Sequence, residues 1–205
     1  MAAYYYQGQQ IVTPFRLSSN EPVFSADSIS LKVRRVKQGA QRWELEFNTI
    51  MTDPADTFAD MITNFHNTVT LEMPQLNTRG ETISQGTCNT LVSVSTAHSA
   101  NDSTVTIDGM GISTTIKKGR FVKFSNHDKV YLVTATSTAS GLGVATLNIY
   151  PSLRTEVPND TQLLYRDGTD AITLTAFRDI SNSQGIIYTD GILSEMGTIS
   201  IIEAL

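Results

Sequence analysis

Residues 28–47 read Ser28-Ile29-Ser30-Leu31-Lys32-Val33-Arg34-Arg35-Val36-Lys37-Gln38-Gly39-Ala40-Gln41-Arg42-Trp43-Glu44-Leu45-Glu46-Phe47. Ile29, Leu31 and Val33 alternate with Ser30, Lys32 and Arg34. Trp43, Leu45 and Phe47 alternate with Arg42, Glu44 and Glu46. A period of two marks a half-buried strand. Gln38-Gly39-Ala40 supplies a turn, so the stretch predicts a hairpin about Gly39. In that register Arg34 faces Glu44 and Lys32 faces Glu46, while Val33 and Leu31 meet Leu45 and Phe47. Each such cross-strand pair contributes about 0.2–1 kcal/mol.

A helix is expected next. Asp53 suits its cap, Pro54 its first position, and Asp56 the positive end of its dipole. Phe58, Met61, Ile62 and Phe65 fall at i, i+3, i+4 and i+7, one apolar stripe for a sheet to cover. Asn67 tolerates the left-handed conformation that ends many helices. Thr68 to Met73 returns as a strand and Pro74 ends it. Trp43, Leu45, Phe47, Phe58, Met61, Ile62 and Phe65 form the predicted core of this module.

The texture then changes. Asn77 to Gln85 is polar and reads as a linker. Short strands are expected at Leu91–Ser95, Thr104–Ile107, Arg120–Phe124, Lys129–Thr134 and Val144–Ile149. Asn101-Asp102, Asp108-Gly109, Asn126-His127-Asp128 and Gly141-Leu142-Gly143 separate them. Strands this short and this regularly spaced predict a small closed barrel, because closure removes exposed edges. Ala171–Phe177 alternates again, and Ile186–Tyr188 and Ile192–Ile202 read as closing strands, with Asp190-Gly191 as a hairpin turn. These are expected to return to the N-terminal sheet. The predicted fold is mainly β: a β-sandwich-like platform with one short α-helix (residues 1–86 and 169–205), and an inserted small barrel, OB-like or SH3-like (residues 87–168).

Composition excludes several classes of function. The chain has 205 residues, 40% of them hydrophobic and 17% charged. No apolar run approaches the ~20 residues that span a bilayer, so no membrane partner is expected. Met1 to Tyr6 lacks the basic start and apolar core of a secretory signal. Cys88 is the one cysteine, which rules out an intramolecular disulfide or a cysteine zinc cluster and fits synthesis in a reducing cytosol. Fifteen basic against twenty acidic residues give a net charge of −5. That argues against a broad phosphate-gripping face. The densest basic run, Arg34-Arg35-Val36-Lys37, is read as a solvated or interface hairpin in preference to a DNA contact.

The search for chemistry gives no catalytic residue, metal ligand or cofactor site. His66, His98 and His127 fall in no metal-binding spacing, and a satisfied or solvated role is favoured for each. Ser125, His127 and Asp128 crowd one turn, where a nucleophile–base–orienter set rarely forms. Gly109-Met110-Gly111 and Gly141-Leu142-Gly143 lack a following helix to hold phosphate. Asp167, Asp170, Asp179 and Asp190 are read as turn residues in preference to calcium ligands. Tyr4-Tyr5-Tyr6 would suit stacking on a sugar or nucleobase, but packing of an N-terminal arm on a neighbouring subunit is favoured.

The run Lys32 to Phe47, followed by the helix and the strand ending at Met73-Pro74, resembles the opening module of distal tail proteins from long-tailed bacteriophages. The resemblance covers roughly residues 28–74 and, more loosely, Ile186–Leu205. Lys118 to Phe124, Lys129 to Thr134 and Leu147 to Pro151 resemble small barrels inserted in phage tail proteins, some of the oligonucleotide/oligosaccharide-binding type. The resemblance implies a non-enzymatic virion protein made in the host cytoplasm. It would form a closed ring of six copies between the tail tube and the distal hub or baseplate, with DNA only passing through the lumen. The barrel would contact fibre or collar proteins. Tyr4, Tyr5, Tyr6, Arg34, Arg35 and Lys37 are the expected inter-subunit contacts. Two alternatives stand beside it: a carbohydrate-binding module stacking sugars on Tyr131, Tyr150 or Tyr165, and a ring protein of the tail-tube or terminator type.

Overall fold

The computed structural model describes residues 5–6, 9–27, 33–37, 41–50, 59, 63, 66–73, 92–165, 172–181, 186–189 and 192–205. The chain divides into two compact units, Met1–Leu71 with Thr175–Leu205, and Glu72–Leu174. The first unit begins with β1 (Tyr5–Tyr6), β2 (Gln9–Asn20), β3 (Val23–Asp27), β4 (Val33–Lys37) and β5 (Arg42–Ile50), and reaches β6 (Val69–Glu72). Between β5 and β6, Ala59 and Thr63 are helical and exposed, and Thr63 Oγ1 donates to the Ala59 carbonyl at 2.8 Å. Both lie off the apolar stripe predicted for this helix; Phe58, Met61, Ile62 and Phe65 fall outside the described residues.

The second unit contains β7 (Ser93–Val94), β8 (Thr104–Asp108), β9 (Thr115–Ile116), β10 (Phe121–Phe124), β11 (Val130–Val133), β12 (Ser137–Thr138), β13 (Ala145–Tyr150) and β14 (Leu163–Leu164). Six of these form one sheet in the order β14-β10-β11-β13-β8-β7, each neighbouring pair antiparallel. The sheet curls until its ends meet. Val94 N–H donates to the Thr161 carbonyl at 2.9 Å and Leu163 N–H to the Val92 carbonyl at 2.9 Å, so β7 is stitched to the chain entering β14. The barrel is all but closed, and its interior is filled by side chains, as in other small barrels. Val94, Val105, Ile107, Val122, Phe124, Tyr131, Val133, Leu147 and Ile149 belong to that packed core. Along β13 burial alternates residue by residue, the period the sequence predicts. The opposite face of β10 and β11 is also covered: Phe121 and Val130 are buried, and Lys123 Nζ donates to Asp128 Oδ1 at 2.9 Å and to the Thr173 carbonyl at 3.2 Å.

The chain then runs through β15 (Thr173–Arg178), β16 (Ile186–Thr189), β17 (Ile192–Met196) and β18 (Ile199–Glu203). The platform sheet has the order β1-β2-β5-β18-β15-β6, so β15 and the last strand join the N-terminal strands as expected, while β16 and β17 form a sheet of their own. β16 and β17 pair with each other, Thr189 opposing Ile192 around residues 190–191. Trp43, Leu45 and Phe47 are buried; Leu45 opposes Ile201 and Phe47 opposes Ile199. Glu203 is buried too, and its Oε2 accepts the Trp43 N–H at 3.1 Å.

One predicted pairing is wrong. β4 pairs with β3, not β5, from Val23 opposite Lys37 to Asp27 opposite Val33. Arg34 therefore opposes Ala26. Glu44 lies between Ser18 of β2 and Ile202 of β18, and Glu46 between Arg16 and Ser200. Arg16 Nη1 approaches Glu46 Oε2 at 3.3 Å, taking the role assigned to Lys32. An exposed charge pair contributes too little to choose among candidate cations, whereas β2 offers β5 a much longer ladder. The ladder shifts register between Val12 and Arg16, around Pro14, whose missing N–H suits an irregularity and not a regular pair.

The two glycine-flanked loops of the barrel grip each other. Met110 N–H donates to the Gly143 carbonyl at 3.2 Å. Gly143 sits at φ +76°, and a Cβ there would lie 2.5 Å from the Met110 carbonyl oxygen. Gly141, two residues earlier, has open space around it. Gly143→Ala is expected to cost about 2–4 kcal/mol, combining left-handed strain with overpacking against backbone. Gly141→Ala should be nearly neutral. Thermal unfolding of the two variants checks this; equal melting temperatures would contradict the close approach.

Candidate functional site

The residues expected to meet a neighbouring subunit are dispersed. Tyr6 pairs with Gln9 at the sheet edge, but its side chain is only 2% exposed and packs edge-on against Phe47 with centroids 5.2 Å apart. Burial pushes its hydroxyl pKa up, partly offset by the Arg178 guanidinium. Burial likewise pulls Arg178 below its usual value. The aromatic side chain of Tyr6 is thus spent in the platform core. Tyr5 pairs with Gln10, and Tyr4 lies outside the described residues. Arg34, Arg35 and Lys37 are successive positions of β4, opposite Ala26, Ser25 and Val23.

The three tyrosines proposed as sugar platforms do not form a set. Tyr131 is fully buried in the barrel core, which removes it. Tyr165 packs partly buried against the same core. Tyr150 is half-buried at the end of β13, beside Leu132 of β11.

The turn containing Ser125, His127 and Asp128 makes a structural network. Arg154 N–H donates to Tyr131 Oη at 3.1 Å, and Tyr131 Oη lies 2.8 Å from His127 Nε2. Asn126 Oδ1 can only accept, so in the neutral imidazole Nδ1–H donates to it at 2.7 Å and Nε2 accepts the tyrosine hydroxyl. Asn126 Nδ2 donates onward to the Glu156 carbonyl at 2.9 Å. Both imidazole nitrogens are engaged, and Asp128 is held by Lys123. No triad geometry arises in this turn. His98 is similarly occupied: its Nε2 accepts the Thr106 N–H at 3.0 Å, and Nδ1 lies 3.5 Å from Asp102. His66 is exposed. Asp179 accepts the Ser181 N–H at 3.0 Å and its hydroxyl at 2.8 Å, the local turn role expected of it. Asp167, Asp170 and Asp190 lie outside the described residues. Among the described residues no group of His, Cys, Asp or Glu is placed to hold a metal, and no helix is long and apolar enough to cross a membrane. The Asn126–His127–Tyr131 chain was invisible in the sequence, since nothing in its spacing reveals that a core tyrosine reaches a turn.

Residues 84–165, a segment that includes all the barrel strands from β7 to β14, match the family described as distal tail protein pb9, B domain. No curated protein matches the chain. The barrel segment is thus similar to a domain of a phage distal tail protein. The match covers less than half of the chain and is a likeness to the bacteriophage distal tail protein family. It falls on the barrel and not on the hairpin module that carries most of the sequence resemblance.

The histidine network has a measurable consequence. Burial, with the neighbouring cations Lys123, Arg154 and Lys129, holds the His127 imidazole below its usual value against the opposing pull of Asp128. A folded-state pKa below the unfolded value of about 6.5 means the unfolded chain binds the proton more readily. This contribution to stability is complete above pH 6.5 and is lost as pH falls through the folded-state value. The melting temperature of the wild-type chain is expected to drop between pH 7 and pH 5 more steeply than that of His127→Gln. Parallel profiles would reject the assignment.

Proposed function

We propose that this chain is a non-enzymatic ring subunit of a phage tail tip. Six copies would join the tail tube to the distal hub or baseplate, and the barrel would attach peripheral proteins such as fibres or a collar. The match of the barrel segment to a distal tail protein B domain carries this reading. Two further observations support it. The platform sheet ends on β1 and β6, and outer strands present backbone groups that a neighbouring copy can pair. The net charge of −5 suits a lumen through which DNA passes without being held by phosphate contacts. The engagement of His98 and His127 in backbone and side-chain hydrogen bonds fits a structural role.

Sedimentation of the purified chain is the direct test. A hexamer is expected, and the triple variant Arg34→Ser, Arg35→Ser, Lys37→Ser should shift it toward smaller species if β4 lies in the ring contact. Antibody labelling of intact particles should place the chain as a ring at the distal end of the tail. A strictly monomeric chain at high concentration, or labelling along the whole tube, would overturn the ring assignment.

A further inference from the structure

Between β13 and β14 the chain runs to the seam of the barrel without forming a strand of its own. From Leu153 to Asp160 only Leu153 and Val157 are buried, and the other side chains are exposed. The backbone of this segment is tied at three places. Leu153 N–H donates to the Asp102 carbonyl at 2.8 Å, and its carbonyl accepts the Asn101 N–H at 2.7 Å. Val157 exchanges hydrogen bonds with His98, both at 2.9 Å, and Asp160 N–H donates to the Val94 carbonyl at 2.9 Å. A segment with so few buried apolar anchors opens locally at a lower free energy than the sheet beneath it.

Two histidines control these ties, and each accepts a hydrogen bond at Nε2. His98 takes the Thr106 N–H there at 3.0 Å, and a backbone N–H cannot reverse its role. The loop that carries His98, Asn101 and Asp102 is thereby fixed to β8. Asp102 Oδ2 is the charged group beside His98, 3.5 Å from Nδ1, and Thr96 Oγ1 lies 3.5 Å from Nε2. His127 accepts the Tyr131 hydroxyl at Nε2, and the same tyrosine oxygen accepts the Arg154 N–H. Asn126, which accepts from His127, reaches the Glu156 carbonyl at 2.9 Å. A proton on Nε2 of His98 sets donor against donor. A proton on Nε2 of His127 turns the buried Tyr131 hydroxyl away from its acceptor. The charged groups around His127 are Lys123 of β10, Asp128 and Lys129 of the turn, and Arg154 of the return segment. An imidazolium repels the three cations, and departure of the segment takes Arg154 away from it. The open form therefore takes up the proton more readily, and opening becomes easier as pH falls below the free-imidazole value of about 6.5.

We propose that residues 153–161 form an acid-released strap: protonation of His98 and His127 frees the strap from the barrel and unpairs β7 from the chain that enters β14. At neutral pH the barrel is closed, and in acid it presents the edge of β7 to other chains. The test is native-state hydrogen exchange on the full chain, with rates corrected for the intrinsic effect of pH. The strap amides are those of Leu153, Val157 and Asp160, and the amides of Val133 and Ile149, bonded to the Arg120 and Ser103 carbonyls, report on the sheet. Strap amides are expected to be protected at least roughly tenfold less than sheet amides, with a weaker dependence on added denaturant, as local opening requires. One proton taken up on opening raises the opening constant by up to about tenfold per pH unit, so strap exchange should rise roughly fivefold or more from pH 7 to pH 5. Gln keeps an acceptor oxygen and does not titrate, so the double variant His98→Gln, His127→Gln should cut that rise to below about twofold. Equal protection and equal denaturant dependence of the two sets would overturn the strap. A full response in the double variant would overturn the role of the histidines. If the double variant does not fold, His127→Gln alone takes its place, and an undiminished response there overturns the proposal. None of these failures bears on the tail reading, which rests on the family match.

Discussion

The barrel depends on a seam of backbone hydrogen bonds between Val92–Val94 and residues 160–163. Without that seam the curled sheet would end on two open strands of two residues each, β7 and β14. Strands this short contribute little of their own, and an open edge invites pairing with other chains. Closing it satisfies the exposed backbone groups and brings Val92, Val94, Val157 and Leu163 into the same core as Leu147 and Tyr131. The cost is entropic, since residues far apart in sequence must meet before either edge is satisfied. The hydrogen bonds of His98 and His127 act on the same problem. His98 exchanges backbone bonds with Val157 in both directions, and His127 ties the β10–β11 turn through Tyr131 to Arg154. Both fasten the long return segment between β13 and β14 before it reaches the seam.

Much of this architecture was legible because it rests on alternation. The strands expected at Thr104–Ile107, Arg120–Phe124, Lys129–Thr134 and Val144–Ile149 lie within a residue or so of β8, β10, β11 and β13. The burial of Trp43, Leu45 and Phe47 follows from the same rule. Pairing was harder. Arg34 and Lys32 offered Glu44 and Glu46 plausible local partners, but charge complementarity is degenerate: Arg16 and Asn20 satisfy the same glutamates from β2. The stretch that forms β2 was not read as a strand, and its ladder shifts register between Val12 and Arg16, around Pro14. β9, β12 and β14 went unread because two residues carry no period.

The candidate site was less legible than the fold, for a related reason. A sequence marks catalytic and metal sites by residue type and spacing, whereas surfaces made for assembly are marked by exposure. Tyr6 and Tyr131 illustrate the difficulty. Aromatic residues supply both cores and interfaces, and these two went to cores, leaving Leu142 and Ile112 as the conspicuous apolar side chains of the barrel surface. The glycines beside Leu142 were noted for a phosphate-binding pattern they do not complete. The service of Gly143 is steric, since the Met110 carbonyl leaves no room for a side chain there.

The scarcity of charge acquires a physical meaning once the strands are placed. The outward positions of β13 carry Thr146 and Asn148, opposite Thr106 and Thr104 of β8. β-branched hydroxyl residues keep a strand soluble while favouring extended backbone. Lys and Glu would have done the first and not the second. Lys123 pairs with Asp128 on the barrel, and the pair between Arg16 and Glu46 on the platform is largely exposed. Surface ion pairs weaken as salt screens them, but apolar burial and backbone ladders do not depend on that screening. The packed core and the backbone ladders of the barrel are thus terms that ionic strength leaves alone.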